Sequence, residues 1–202
     1  MQYLAMDRDG CAVSGDHQLG NYENNSPSQY KDKAMPLVLS TIDAVKDLGL
    51  PLMFISNQSG IGRYTTLELV VQQFVWLMER YEWHGIKSLG SLFCSDHGQT
   101  IYYVRGEKLP SGINLVKEIK FSNPDTNIGR KPQPGMGYFA DDFASLYGCD
   151  ECWGYVGDLS GIPGYAPSAK EPDSDKRFAE NWGVKYMDIQ QFTKTSKEAI
   201  CN

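Results

Sequence analysis

Tyr3-Leu4-Ala5-Met6-Asp7-Arg8-Asp9-Gly10 stands almost at the start of the chain: four apolar residues, two carboxylates two positions apart, then a glycine. A short apolar run of this kind reads as a buried strand, and the abrupt change of character as the point where strand becomes loop. Gly10 permits a tight backbone turn there. Two carboxylates so placed can turn toward one centre. Hard oxygen ligands at this density suit Mg²⁺, which takes one or two carboxylates together with phosphate oxygens and water.

The pattern recurs along the chain. Leu52-Met53-Phe54-Ile55 ends on Ser56-Asn57, and Cys152-Trp153-Gly154-Tyr155-Val156 ends on Gly157-Asp158. Leu89 to Cys94 and Val184-Lys185-Tyr186-Met187 are further strand candidates. Helical stripes lie between them. One starts near Pro36, turns Leu37, Val38, Thr41, Ile42, Val45 and Leu48 inward, and ends at Gly49. A second follows a capping box of Thr65 and Glu68 and runs through Leu67, Val70, Phe74, Met78 and Tyr81. A third spans Met136–Leu146. A fourth is capped by Asp173-Ser174-Asp175 and closed by Gly183. This alternation predicts an α/β fold, a Rossmann-like parallel sheet flanked by helices.

In such a sheet all strand C-termini lie along one edge, and ligands bind in the crevice there. Asp7, Asp9, Ser56, Asn57 and Asp158 are therefore aimed at one place. A lone acid after a strand is ordinarily a turn former or helix cap. It is the repetition at three strand ends that points to a site.

The chain has 202 residues, enough for one domain with a buried core. We read residues 1–202 as that domain, with a small insert at about 96–129 that includes a hairpin over 100–109. The last ten or so residues read as a mobile tail. Only 46 positions (10–55) separate Asp9 from Ser56, and a helix uses about a third of them, which leaves room for a minimal cap. Lys+Arg minus Asp+Glu is 19 − 25, or −6. That balance disfavours a protein that coats duplex nucleic acid through bulk charge. No run approaches the ~20 apolar residues of a membrane span. The early Asp7 does not suit a signal peptide. Five cysteines, an odd number, suggest free thiols in a reducing, cytoplasmic setting.

With these residues in view, the sequence resembles the haloacid dehalogenase superfamily of phosphotransferases over roughly residues 2–192. Asp7-Arg8-Asp9-Gly10 is similar to its first motif, with Cys11 where a Thr is usual. Ser56-Asn57 resembles the second motif, Lys131 within Arg130-Lys131-Pro132-Gln133-Pro134-Gly135 the third, and Val156-Gly157-Asp158 the fourth. The resemblance implies an enzyme of a definite kind. Asp7 would attack phosphorus and form an aspartyl-phosphate. Asp9 would protonate the leaving oxygen and then activate water. Ser56, a nearby backbone N–H at Asn57, and Lys131 would hold the phosphoryl oxygens. Mg²⁺ would be held by Asp7, the Asp9 carbonyl and Asp158. A second acid usually follows the fourth-motif aspartate. Asp175 keeps the expected spacing to the following helix end, and Asp173 competes with it.

Two branches of the superfamily compete for the substrate. Histidinol-phosphate and heptose-bisphosphate phosphatases are similar at Asp7-Arg8-Asp9-Gly10 and Asn57-Gln58-Ser59-Gly60-Ile61, but carry a zinc loop whose cysteines are missing between 95 and 148. Polynucleotide 3′-phosphatase domains are similar at Asn57-Gln58-x-Gly60-Ile61-Gly62-Arg63. The resemblance continues at Val156-Gly157-Asp158-x-x-Gly161-x-Pro163, and at Ser174-Asp175-x-x-Phe178-Ala179-x-Asn181-x-Gly183. The longer match implies a stand-alone phosphatase of nucleic-acid 3′ ends or nucleotides. No kinase phosphate loop accompanies it. Arg63, Arg130, Lys170, Lys176 and Arg177 are candidates for a flanking phosphodiester. A different reading, a catalytically silent module that binds nucleic-acid ends, does not require a nucleophile.

Cys149-x-x-Cys152 and Cys94-x-x-His97 have the spacing of zinc-ligand pairs, but their places in the sheet argue against a shared site. The first pair starts one strand and the second ends another, roughly 15–20 Å away along the sheet. Zinc ligands need ~2.0–2.3 Å. Trp76, Trp83, Trp153 and Trp182 read as packing residues.

Overall fold

β1 (Gln2–Met6) runs through the middle of a seven-stranded sheet, with Tyr3 to Met6 fully buried. The structure, a computed structural model, describes residues 1–13, 37–58, 60–62, 65–95, 98–108, 114–120, 128–161 and 171–200. The other strands are β2 (Leu52–Asn57), β3 (Ser88–Cys94), β4 (Thr100–Lys108), β5 (Asn114–Lys120), β6 (Glu151–Gly157) and β7 (Tyr186–Asp188). Their order is β5-β4-β3-β2-β1-β6-β7. From β3 to β7 all neighbours are parallel.

The expected parallel sheet runs from β3 through β2, β1 and β6 to β7. Two antiparallel strands from the segment read as an irregular insert extend it: β4 pairs antiparallel with β3, and β5 antiparallel with β4. The hairpin is longer than 100–109 and extends the main sheet. Its alternation was hidden because both faces of β4 are covered. Ile101 and Tyr103 join one core, while Val104 and Tyr102 pack on the other.

Among the described residues, five helices flank the sheet: α1 (Leu39–Leu48), α2 (Leu67–Trp83), α3 (Gly135–Ser145), α4 (Ser174–Trp182) and α5 (Ile189–Ile200). One face of the sheet (Leu4, Met6, Leu52, Phe54, Val156) packs against α1, α2 and α5 through Ile42, Val45, Phe74, Met78 and Phe192. The other face (Tyr3, Ala5, Met53, Ile55, Tyr155) packs against α3 and α4 through Met136, Ala140, Phe178 and Trp182. Each such side chain, once buried, contributes about 1.5–3 kcal/mol. The alternation of β1 thus sends odd residues toward α3 and α4, and even residues toward α1 and α2.

Several boundaries shift. α1 begins at Leu39, after Val38 in extended conformation, and ends at Gly49 in the left-handed region as expected. The cap of α2 is Thr66, not Thr65; its hydroxyl accepts from the Leu69 N–H at 3.3 Å. The residues read as a mobile tail are helical to Ile200, and Ile189 and Phe192 anchor α5 in the core. Trp83 does not pack: it is 77 % exposed, with the Arg80 guanidinium over its ring. Among the described residues, no helix is long and apolar enough to cross a membrane. Arg63, His97 and Lys170 lie outside the described residues, as does most of the 10–33 loop.

Candidate active site

The parallel registers bring three strand ends level. Met6 of β1 aligns with Phe54 of β2 and Val156 of β6, so Asp7, Ile55-Ser56 and Gly157-Asp158 share one edge. The Asp7 N–H donates to the Val156 carbonyl at 2.8 Å, which carries the ladder one residue past β1.

The backbone after Asp7 turns back on itself. Ala12 and Val13 N–H groups both donate to the Arg8 carbonyl, and Gly10 N–H donates to Val13. Gly10 has φ 83°, and a Cβ there would collide with the Asp158 carboxylate. The turn is held from outside by Thr41, which donates to the Cys11 carbonyl at 3.0 Å, and by Tyr81, which donates to the Ala12 carbonyl at 3.2 Å. Cys11, in the place of the usual Thr, is fully buried. Burial, with Asp158 and Asp7 adding to it, pushes its thiol up, so it stays neutral beside the acids.

Lys131 reaches this edge from the loop before α3. Asn57 holds the loop: its Nδ2 donates to the Lys131 carbonyl and its Oδ1 accepts from the Lys131 N–H, both at 3.0 Å. Asn181 Nδ2 donates to the Pro132 carbonyl at 2.8 Å. The Asn57 side chain is thereby committed to the Lys131 backbone.

The Lys131 ammonium is buried among three acceptors. It donates to Asp175 Oδ1 at 2.6 Å and to the Tyr155 hydroxyl at 2.7 Å, and lies 2.9 Å from Asp7 Oδ1. The last contact is a buried ion pair. Tyr155 donates to Asp175 Oδ1 at 3.0 Å, and the Leu159 N–H donates to Asp175 Oδ2 at 3.2 Å. Asp175 is fully buried in the first turn of α4, and Gly157 makes room for it: a Cβ there would stand 2.6 Å from the Asp175 Cβ. Asp173 is half-exposed and lies 3.8 Å from Arg177. Of the two competing acids, Asp175 is the one turned into the site.

Carboxylate oxygens of Asp7, Asp158 and Asp175 lie within 4.8 Å of one another, all buried, and could hold a metal ion. Three such acids facing one ammonium leave an excess of negative charge. Burial pushes Asp7 up to about 8; Lys131 offsets part of this, while Asp175, Asp158 and Asp9 add to it. Burial alone would lower Lys131, but Asp175 and Asp7 hold it above its ordinary value. The donor set, all carboxylate oxygen, suits a hard cation. Asp175 fits less well as a direct ligand, because Lys131, Tyr155 and the Leu159 N–H already engage its oxygens.

The polynucleotide kinase 3 phosphatase family model matches residues 3–192. The chain belongs to that family. No individual curated protein matches it.

Within this member of the family, a second cluster lies on the opposite face of the same edge. Arg8, 3 % exposed, grips Asp9 through Nε at 3.1 Å and Nη2 at 3.0 Å. Its Nη1 donates to Gln73 at 3.0 Å, and its guanidinium lies 5.0 Å from the Phe74 ring centre. Gln58 Nε2 donates to both Asp9 Oδ2 and Ser56 Oγ at 2.9 Å. Sequence reasoning missed Tyr155, Gln58 and the Arg8 clamp. Gln58 had a signal, its place beside Ser56-Asn57; Tyr155 had none, since an aromatic in a strand reads as core. Cys94 ends β3 and Cys149 precedes β6, three strand spacings away, or about 14 Å, which is too far for a shared zinc. Arg177 and Lys176 are exposed on α4, and Arg130 is half-buried beside Lys131.

Proposed function

We propose that this protein is a Mg²⁺-dependent phosphomonoester hydrolase that removes 3′-phosphates from nucleic-acid ends or nucleotides. The observation that carries the reading is the convergence of Asp7, Asp158, Asp175 and Lys131 from four chain segments on one strand edge. Family membership supports the choice of substrate. It also favours this over small sugar or amino-alcohol phosphates, and an assembled nucleophile favours it over a silent end-binding module.

Asp7 is the nucleophile. A carboxylate oxygen of Asp7 attacks phosphorus, the phosphorus–oxygen bond to the leaving group breaks, and an aspartyl-phosphate forms. Asp9 gives its proton to the departing oxygen, then takes one from the water that cleaves the intermediate. Ser56 donates its hydroxyl proton to a phosphoryl oxygen. Lys131 keeps a fixed positive charge against Asp7 while that carboxylate changes from anion to ester. Asp7, the Asp9 carbonyl and Asp158 would hold Mg²⁺, with Asp175 behind them orienting Lys131. Bound there, the cation supplies charge neutralisation for the phosphoryl oxygens and favours the ionised form of Asp7.

The test is phosphate release with Mg²⁺ from a 3′-phosphorylated oligonucleotide, a 3′-nucleotide, histidinol phosphate and heptose bisphosphate. Release from the first two is expected, and its loss in Asp7→Asn. Release from the metabolites alone would sink the substrate assignment, and undiminished turnover by Asp7→Asn the mechanism.

A further inference from the structure

Gln58 touches both groups that must handle protons in the reaction, and nothing in the motif reading gave it a role. Its side-chain amide has two N–H donors. One goes to Asp9 Oδ2 and the other to Ser56 Oγ, each at 2.9 Å. The orientation of the amide follows from chemistry: a carboxylate only accepts, so Gln58 must present nitrogen to Asp9. Gln58 is itself 8 % exposed, and it leaves β2 on a backbone bond to the Cys94 carbonyl at 2.8 Å, so its starting point is fixed by the sheet.

Two consequences follow. Ser56 Oγ accepts from Gln58, and among the described residues it donates to no acceptor. Its one proton is therefore left for a ligand. A third of the Asp9 side chain is open to solvent. Arg8 grips its carboxyl and is itself held on α2 by Gln73, and Gln58 ties the same carboxyl to β2, the strand that carries Ser56.

We propose that Gln58 is a positioning residue that sets the Asp9 carboxyl and the Ser56 hydroxyl in register with each other. This rests on the phosphatase reading above. Gln58 itself does not touch the reacting atoms. Its contribution is greatest where the leaving group needs a proton at the moment the phosphorus–oxygen bond breaks, because that transfer demands a carboxyl in place.

Leaving-group dependence separates this role from a merely structural one. A 3′-phosphorylated oligonucleotide departs as an alkoxide and requires a proton; p-nitrophenyl phosphate departs as a stabilised phenolate and does not. Gln58→Met keeps the length and removes both donors. Its kcat on the oligonucleotide is expected to fall roughly 10²-fold, the low end for loss of acid catalysis, and at least tenfold less on p-nitrophenyl phosphate. Gln58→Glu, similar in shape and unable to donate, is expected to show the same selective loss and serves if the Met variant misfolds. Equal losses on both substrates, or no loss, would overturn the inference alone. A wild-type protein that releases phosphate from neither substrate would overturn the phosphatase reading, and this inference with it.

Discussion

Asn57 and the backbone of Lys131 are paired in both directions, 74 residues apart in sequence, by two hydrogen bonds of 3.0 Å. The pair ties the loop that carries the buried ammonium to the end of β2. Asn57→Ala removes both bonds and leaves a part-buried N–H and carbonyl unmatched. Urea unfolding is expected to show a loss of about 1–3 kcal/mol. Phosphate release is expected to fall with it, since Lys131 loses its fixed reference. A variant as stable as the wild type would show that the loop is held by other contacts.

Tyr155 completes the set of acceptors around Lys131. Tyr155→Phe keeps the ring, and with it the edge contact to Phe178 at 4.9 Å between centres. It removes the hydroxyl that accepts from Lys131 and donates to Asp175. One ammonium N–H is then left without an acceptor in a buried site, at a cost of about 1–3 kcal/mol. Chemical denaturation against the wild type measures this, and an unchanged midpoint would mean that a water replaces the hydroxyl.

Asp158 is the test of the cation. Three buried carboxylates within 4.8 Å of one another face a single ammonium, so repulsion remains that a further cation would relieve. Mg²⁺ is expected to raise the melting temperature of the wild type. The gain is about 2.7 kcal/mol when the ion is present at 100 times its dissociation constant. Asp158→Asn is expected to abolish that rise while leaving the Mg²⁺-free protein as stable or more so. An Asn variant that still responds to Mg²⁺ would place the ion elsewhere.

Gly10 is expected to tolerate no side chain. Its φ of 83° disfavours any L-residue, and a Cβ would collide with the Asp158 carboxylate. Gly10→Ala is expected to cost about 1–3 kcal/mol for the strained backbone and to remove the Mg²⁺-dependent rise in melting temperature. Retention of that rise would mean that Asp158 can give way without leaving the site.

Much of this arrangement was legible before any coordinates. Asp7, Asp9, Ser56 and Asp158 stand at strand ends and Lys131 in a stretch that resembles a family motif, and the registers of β1, β2 and β6 bring those strand ends together. The edge hairpin was less legible, because β4, covered on both faces, loses the period that marks a strand. Spacing to the helix end favours Asp175, but Asp173 competes with it, since two acids at a helix start both make sense as caps. Only the rotation of α4 against β6 turns one toward Lys131 and the other to solvent.

The sequence by itself determined which strands carry polar groups at their ends, and therefore where a site would lie. It did so because a buried strand must change character where it leaves the core. Which side chains hold the catalytic candidates in place was decided by tertiary structure alone. Asn57 grips a backbone 74 residues away, Tyr155 is a core aromatic until its hydroxyl meets Lys131 and Asp175, and Gln58 bridges two elements. Such contacts depend on distances between chain segments that no local period or spacing encodes.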